Sequence, residues 1–125
     1  MQRLTKAEEE IMQLIWQLER CTVRDVLDQL GTPKPPHSTI SSIVRILENK
    51  GFVDHKAYGR TYEYFPIISR SDYSKKSVKK LVKDYFNGST KSLVSFLVQE
   101  EKVDLNDLQE LLNTMKDQEQ DSNKK

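Results

Sequence analysis

The spacing of apolar and polar positions changes twice along the chain, from helical to alternating and back to helical. Ala7, Ile11, Leu14, Ile15 and Leu18 recur at steps of three and four, which puts them on one helical stripe. Thr5 followed by Glu8 reads as a capping box, with the hydroxyl taking an orphan backbone N–H and the carboxylate reaching back. "CTVRDVLDQLG" repeats that grammar on a shorter scale. Thr22 caps, Asp25 sits at the third helical position, Val23, Val26, Leu27 and Leu30 form the apolar face, and Gly31 suits a left-handed stop. "TPKPP" (32–36) cannot continue a helix. "HSTISSIVRILENKG" then supplies a third helix, with Ile40, Ile43, Val44 and Leu47 facing inward and Gly51 ending it.

"FVDHKAYGRTYEYFP" alternates instead, and predicts two short strands near 52–56 and 61–65 joined by a turn at Tyr58-Gly59-Arg60 and closed by Pro66. Three short helices followed by a β-hairpin is the order of a winged helix-turn-helix, in which the third helix enters the DNA major groove and the hairpin lies over the backbone. Beyond Pro66 the helical period returns. Ser71 and Asp72 can start a helix carrying Val78, Leu81, Val82, Tyr85 and Phe86. A second from about Thr90 carries Leu93, Val94, Phe96, Leu97 and Val98, and Asp104 can cap a third with Leu105, Leu108, Leu111, Leu112 and Met115. The expected fold is mainly α with a small β-hairpin: a winged-helix domain over 1–68, a helical region over 69–118 and a polar, disordered tail over 119–125.

The second region is too short to bury its stripes well against itself. Packing back onto the N-terminal helices is one solution. Pairing with a second copy through Val82, Tyr85, Phe86, Leu93, Phe96, Leu97, Leu108, Leu111 and Leu112 is the favoured one, because the wide apolar face of 93–98 asks for more partners than one chain offers.

The polar face of the third helix is unusual in its composition. Ser38, Ser41, Ser42 and Arg45 share it without an acid, beside Thr39. Lysine and glutamate are better surface helix formers than serine, so a serine cluster with one arginine suits close approach by another surface. Hydroxyls can donate to phosphates or base edges, and arginine can hold a phosphate or pair with guanine. His55, Lys56, Tyr58, Arg60 and Thr61 cluster around the hairpin turn, where a wing meets DNA. Lys34 and the lysines of 75–83 add candidate phosphate contacts.

Composition narrows the alternatives. Hydrophobic residues make up 36% and charged residues 31% of the 125, which suits a folded, helix-rich domain. The net charge of +1 hides a segregation: residues 1–66 are neutral, 67–91 carry seven Lys/Arg against two Asp/Glu, and 92–125 carry four against eight. No apolar run approaches the roughly 20 residues of a membrane span, and the N-terminus lacks the pattern of a secretion signal, which predicts a cytoplasmic location. Cys21 is the single cysteine, read as a small apolar residue between two helices in preference to a redox sensor. His37 and His55 stand apart from any acid or nucleophile at diagnostic spacing, and no metal-ligand cluster or phosphate loop is visible. The sequence therefore predicts no enzyme, no metal and no cofactor.

"LTKAEEEIMQLIWQL", "STISSIVRILENKGFVDHK" and "GRTYEYFP" together resemble the penicillinase and methicillin-resistance repressors of bacteria, the BlaI/MecI family, over about Leu4 to Met115. The resemblance implies a homodimeric transcriptional repressor on a pseudo-palindromic DNA operator. It also implies a membrane sensor–protease pathway that relieves repression by cutting the dimerisation domain. By position Ser38, Thr39, Ser41 and Ser42 match the family's DNA-reading residues, and Arg60 lies in the wing. Relatives often carry lysine or arginine where this chain has Ser38 and Ser41. The family's Asn-Phe cleavage pair, near "SLVSFLV" (92–98), does not occur, nor do the C-terminal cysteines of its copper-responsive branch. A winged-helix module that docks another protein through the same face is the competing reading.

Overall fold

In the computed structural model the described residues are 3–100 and 103–123. They form, in order, α1 (Lys6–Leu18), α2 (Val23–Asp28), α3 (His37–Asn49), β1 (Val53–Tyr58), β2 (Thr61–Pro66), α4 (Arg70–Tyr85), α5 (Thr90–Glu100) and α6 (Leu105–Asn123). The chain divides into two compact units, Met1–Lys76 and Ser77–Lys125. The first is a winged helix: α1, α2 and α3 enclose a core, and the antiparallel β1–β2 hairpin follows it.

Both capping boxes form. The Glu8 N–H donates to Thr5 Oγ1 at 3.2 Å while the Thr5 N–H donates to Glu8 Oε1, and Thr22 and Asp25 make the same reciprocal pair at the start of α2. The buried face of α1 differs from the expected stripe. It consists of Glu8, Ile11, Met12 and Ile15, and Ala7 is exposed. The helix is rotated because Glu8 turns inward: its carboxylate accepts from Lys50 Nζ at 2.5 Å, and the same ammonium donates to the Arg3 carbonyl. One ion pair thus joins the first turn of α1 to the residue that ends α3.

α2 stops at Asp28, before Gly31, and Gly31 does not adopt a left-handed backbone. Lys34 provides the ending instead. Its Nζ donates to the carbonyls of Leu27 and Leu30 at 2.7 and 2.8 Å, so the ammonium that the sequence offers to phosphate is occupied at a helix C-terminus. Gly51 behaves as expected. At φ +83° it lets the Gly51 N–H donate to Glu48 O and the Phe52 N–H to Leu47 O, a Schellman closure whose hydrophobic contact is the fully buried Leu47–Phe52 pair.

The strands run later than the sequence suggests, pairing Val53 with Pro66 through Tyr58 with Thr61. The loop is the two-residue Gly59-Arg60, with Gly59 at φ +64° in the first central position, as a II′ hairpin requires. Cys21 adds a single bridge to the sheet: its N–H donates to Tyr64 O at 2.9 Å and its carbonyl accepts from the Tyr64 N–H. The chain reaches that bridge through a tight γ-turn at Glu19 (φ 67°, ψ −48°), in which the Arg20 N–H donates to Leu18 O. Cys21 is fully buried, and burial, reinforced by the charges of Asp25 and Glu63, pushes its thiol up to about 11. Burial therefore keeps Cys21 in the thiol form, in line with a small apolar core residue.

α4 starts earlier than Ser71. Ser69 is the cap, its Oγ accepting from the Asp72 N–H at 3.0 Å. The first turns of α4 belong to the winged-helix unit because Tyr73 packs on it, 5.6 Å from the rings of both Trp16 and Phe52, while Trp16 Nε1 donates to Ile68 O.

The second unit has little interior. Val82 is the buried apolar side chain among its described residues. α5 has no buried residue, although the Phe86 and Phe96 rings meet edge to face at 5.6 Å. α6 runs from Leu105 to Asn123. No helix among the described residues is long and apolar enough to cross a membrane.

Two outcomes follow from the first unit. The hydrogen bond from Lys50 holds the Glu8 carboxyl below its ordinary 4.5 against the opposing effect of burial. A depressed acid stabilises the fold above its unfolded value and loses that contribution as pH falls through its folded value. The melting temperature should drop as pH falls below about 4.5, and Glu8→Gln should flatten that limb while costing roughly 2–3 kcal/mol at pH 7. Cys21 should resist iodoacetamide in the native chain and react only after denaturation; rapid native alkylation would contradict its burial.

Candidate nucleic-acid interface

α3 has two faces set by its sequence. Ile40, Val44 and Leu47 are buried and Ile43 partly so, which leaves Ser38, Thr39, Ser42 and Arg45 exposed and Ser41 at the margin. The helix is anchored at both ends, by the Pro36 carbonyl at its start and by the Gly51 closure at its finish, so its outer face is presented rigidly.

Beside that face runs an open groove of about 480 Å³ between the start of α2, the flank of α3 and the base of β2. Arg24, Arg45 and Arg60 all reach it, with His37, Ser41 and Thr61 between them, and no carboxylate lines it. Arg24 pairs weakly with Asp28 at 3.6 Å on the surface, whereas Arg45 and Arg60 have no ion-pair partner among the described residues. Tyr64 forms the floor. Burial raises its phenol, with Glu48 adding to the effect and the Arg45 guanidinium opposing it, so Arg45 acts electrostatically on this floor. Three guanidiniums and two hydroxyls converging without an acid make a surface suited to phosphate oxygens.

Of the residues singled out from sequence, Ser41, Arg45, Arg60 and Thr61 come together in this groove. Ser38, Thr39 and Ser42 occupy the adjoining exposed strip of α3. Lys56 and Tyr58 lie on β1 and do not line it; the Lys56 ammonium stands 5.6 Å over the Tyr58 ring, which is exposed. Arg24 and His37 are additions that sequence reasoning missed. His37 precedes Ser41 and Arg45 by one and two helical turns on the same face of α3, a spacing visible in the sequence, whereas Arg24 joins them only through the packing of α2 against α3. His55 is not isolated, as its sequence neighbourhood suggests: its Nδ1 lies 2.7 Å from Glu48 Oε2.

In the second unit Tyr85, Phe86, Leu93, Phe96 and Leu97, five of the nine residues expected at a dimer contact, line an apolar groove of about 570 Å³ together with Leu81. Leu111, Leu112 and Met115 of α6 are exposed, and Leu108 is half-buried.

Comparison with known proteins gives a consistent set of likenesses. The family described as penicillinase repressor matches residues 4–117. The methicillin resistance regulatory protein MecI of Staphylococcus aureus (strain N315) is 26% identical over 113 residues, covering 90% of this chain and 92% of that protein. The penicillinase repressor of Bacillus licheniformis is 25% identical over 116 residues, covering 92% and 91%. Among solved structures, the DNA binding domain of the repressor BlaI aligns with a TM-score of 0.50 at 32% identity, covering 57% of this chain and 88% of that one.

Proposed function

The chain belongs to the penicillinase repressor family, a family of transcriptional repressors and not of enzymes, and on that footing we propose that it represses transcription as a homodimer bound to a pseudo-palindromic operator. The observation that carries the reading is the acid-free groove of Arg24, Arg45 and Arg60 beside the hydroxyl strip of α3. In this reading α3 enters the major groove. Ser38, Thr39, Ser41 and Ser42 approach the base edges, and Arg45 spans base and phosphate. Arg60 and Thr61 at the hairpin turn hold the backbone, with Lys56 and Tyr58 beside them. Short hydroxyl side chains let the helix approach closely, and the arginines at its flank supply the charge that the serines lack.

The dimer is supported by what the second unit leaves uncovered. Tyr85, Leu97, Leu111 and Leu112 are exposed together with Phe96, an apolar surface that a folded helical unit ordinarily buries. Phe86, Leu93 and Leu108 complete the proposed contact. A second copy of the same surface is the simplest complement, and a two-fold pair sets the two α3 helices one or two DNA turns apart, about 34 Å per turn. The proposal includes no cut at an Asn-Phe bond, because the chain has none.

Binding to the promoter upstream of its own gene should weaken steeply between low and moderate salt. The double change Arg45→Ala/Arg60→Ala should flatten the slope of log K against log salt by about 2. An unchanged slope would remove the groove from the interface, and equal affinity for promoter and random DNA would favour a protein-docking module. Leu97→Asp should sediment as a monomer and lose at least about 100-fold in operator affinity, since each half-site is then bound alone. An intact dimer would show that Leu97 lies outside the contact.

A further inference from the structure

The last turn of α3 and the start of β1 bring three ligand-bearing side chains together. His55 Nδ1 lies 2.7 Å from Glu48 Oε2, and Asp54 Oδ1 accepts from the His55 backbone N–H at 2.8 Å. One nitrogen or oxygen from each of Glu48, Asp54 and His55 lies within 4.8 Å of those of the other two. The set is held from outside. The His55 ring stacks on Tyr62 at 4.3 Å and flanks Tyr64 at 5.5 Å, and the chain between the contributors is fixed by the Gly51 closure and the fully buried Phe52 and Val53. Ligands oriented by their surroundings distinguish a metal site from a chance meeting of surface groups.

Charge supplies a separate argument. Neither Glu48 nor Asp54 has a lysine or arginine partner among the described residues, so two carboxylates share this junction with one imidazole. Glu48 sits one turn of α3 beyond Arg45, and Asp54 is exposed at the root of the wing. Two such acids repel a polyanion that approaches α3 and the wing, and a divalent cation cancels both. One imidazole nitrogen with two carboxylate oxygens suits a borderline divalent ion such as Zn²⁺, at bond lengths of about 2.0–2.2 Å with a fourth position left to water.

We infer that Glu48, Asp54 and His55 form a zinc-class divalent metal site at the junction of α3 and the wing, and that its occupancy strengthens DNA binding. Nδ1 coordinates as neutral imidazole with its proton on Nε2, so the hydrogen bond to Glu48 is exchanged for one nitrogen–metal and one oxygen–metal bond. The coupling to DNA rests on the repressor reading, whereas metal binding does not.

Calorimetric titration of Zn²⁺ into the full chain at pH 7, without DNA, tests the site. Saturable one-to-one binding is expected, weakened more than about tenfold by Glu48→Gln and by Asp54→Asn and unchanged by His37→Ala. Both carboxylate changes preserve side-chain shape, and their melting temperatures without zinc should match the parent chain. Absence of saturable binding, or binding that survives both substitutions, overturns the site. A gel shift with and without zinc then tests the coupling: severalfold tighter promoter binding in the parent chain and no change in Glu48→Gln. Zinc that binds as expected but leaves DNA affinity unmoved overturns the coupling alone. Failure to bind promoter DNA in either state sinks the repressor reading and the coupling with it, while zinc binding in the calorimeter still decides the site.

Discussion

The left-handed turn at Gly51 is the constraint on which the winged-helix unit depends. α3 has to end, reverse its backbone handedness and become a strand within three residues, and it does so with Leu47 and Phe52 sealed against each other at zero exposure. That closure fixes the register of β1 against β2, which in turn places Tyr64 opposite Cys21 and Arg60 beside Arg45. It also seats Lys50, the last residue before the glycine, where its ammonium meets Glu8 across the core. A side chain with a Cβ at residue 51 would meet no steric clash with its surroundings, yet would have to adopt a φ that L residues rarely take. The demand is therefore on the backbone alone.

The groove shows how a modest set of residues becomes a charged surface. Its three arginines come from α2, α3 and the β1–β2 hairpin, none of these segments is basic in sum, and the first 66 residues are neutral. Acids are not absent from this unit; they are placed elsewhere. Glu8 is spent inside against Lys50, Glu63 faces Arg20 at 3.8 Å on the outside of the hairpin, and Asp25 closes a helix cap. Segregation by folding, and not composition, generates the local field.

Much of this architecture was legible in the chain. The two threonine caps, the inward face of α3, the change of period after Gly51 and the glycine in the hairpin are local signals, and local geometry honours them. What was not legible depends on contacts distant in sequence. Glu8 reads as a capping carboxylate, and nothing in its neighbourhood announces Lys50, 42 residues away. Lys34 reads as a free cation, although two of its three ammonium protons go to the carbonyls of Leu27 and Leu30. Arg24 carries no motif, and Glu48 and His55 are separated by a turn that only the fold closes. In the second unit the apolar stripes were plain, but periodicity does not determine that Val82 is the one buried among the described residues.

The shallow interior of that second unit has a thermodynamic consequence. Helices with so few buried side chains gain too little from their own packing to offset the entropy of ordering them. Their order then becomes a function of how much of their apolar surface is covered, and hence of the concentration of whatever covers it. When the complement is a second copy, folding of this unit and assembly of the pair become a single equilibrium, second order in chain. Its midpoint would then shift with the amount of protein in the cell, so abundance itself would be an input to the switch.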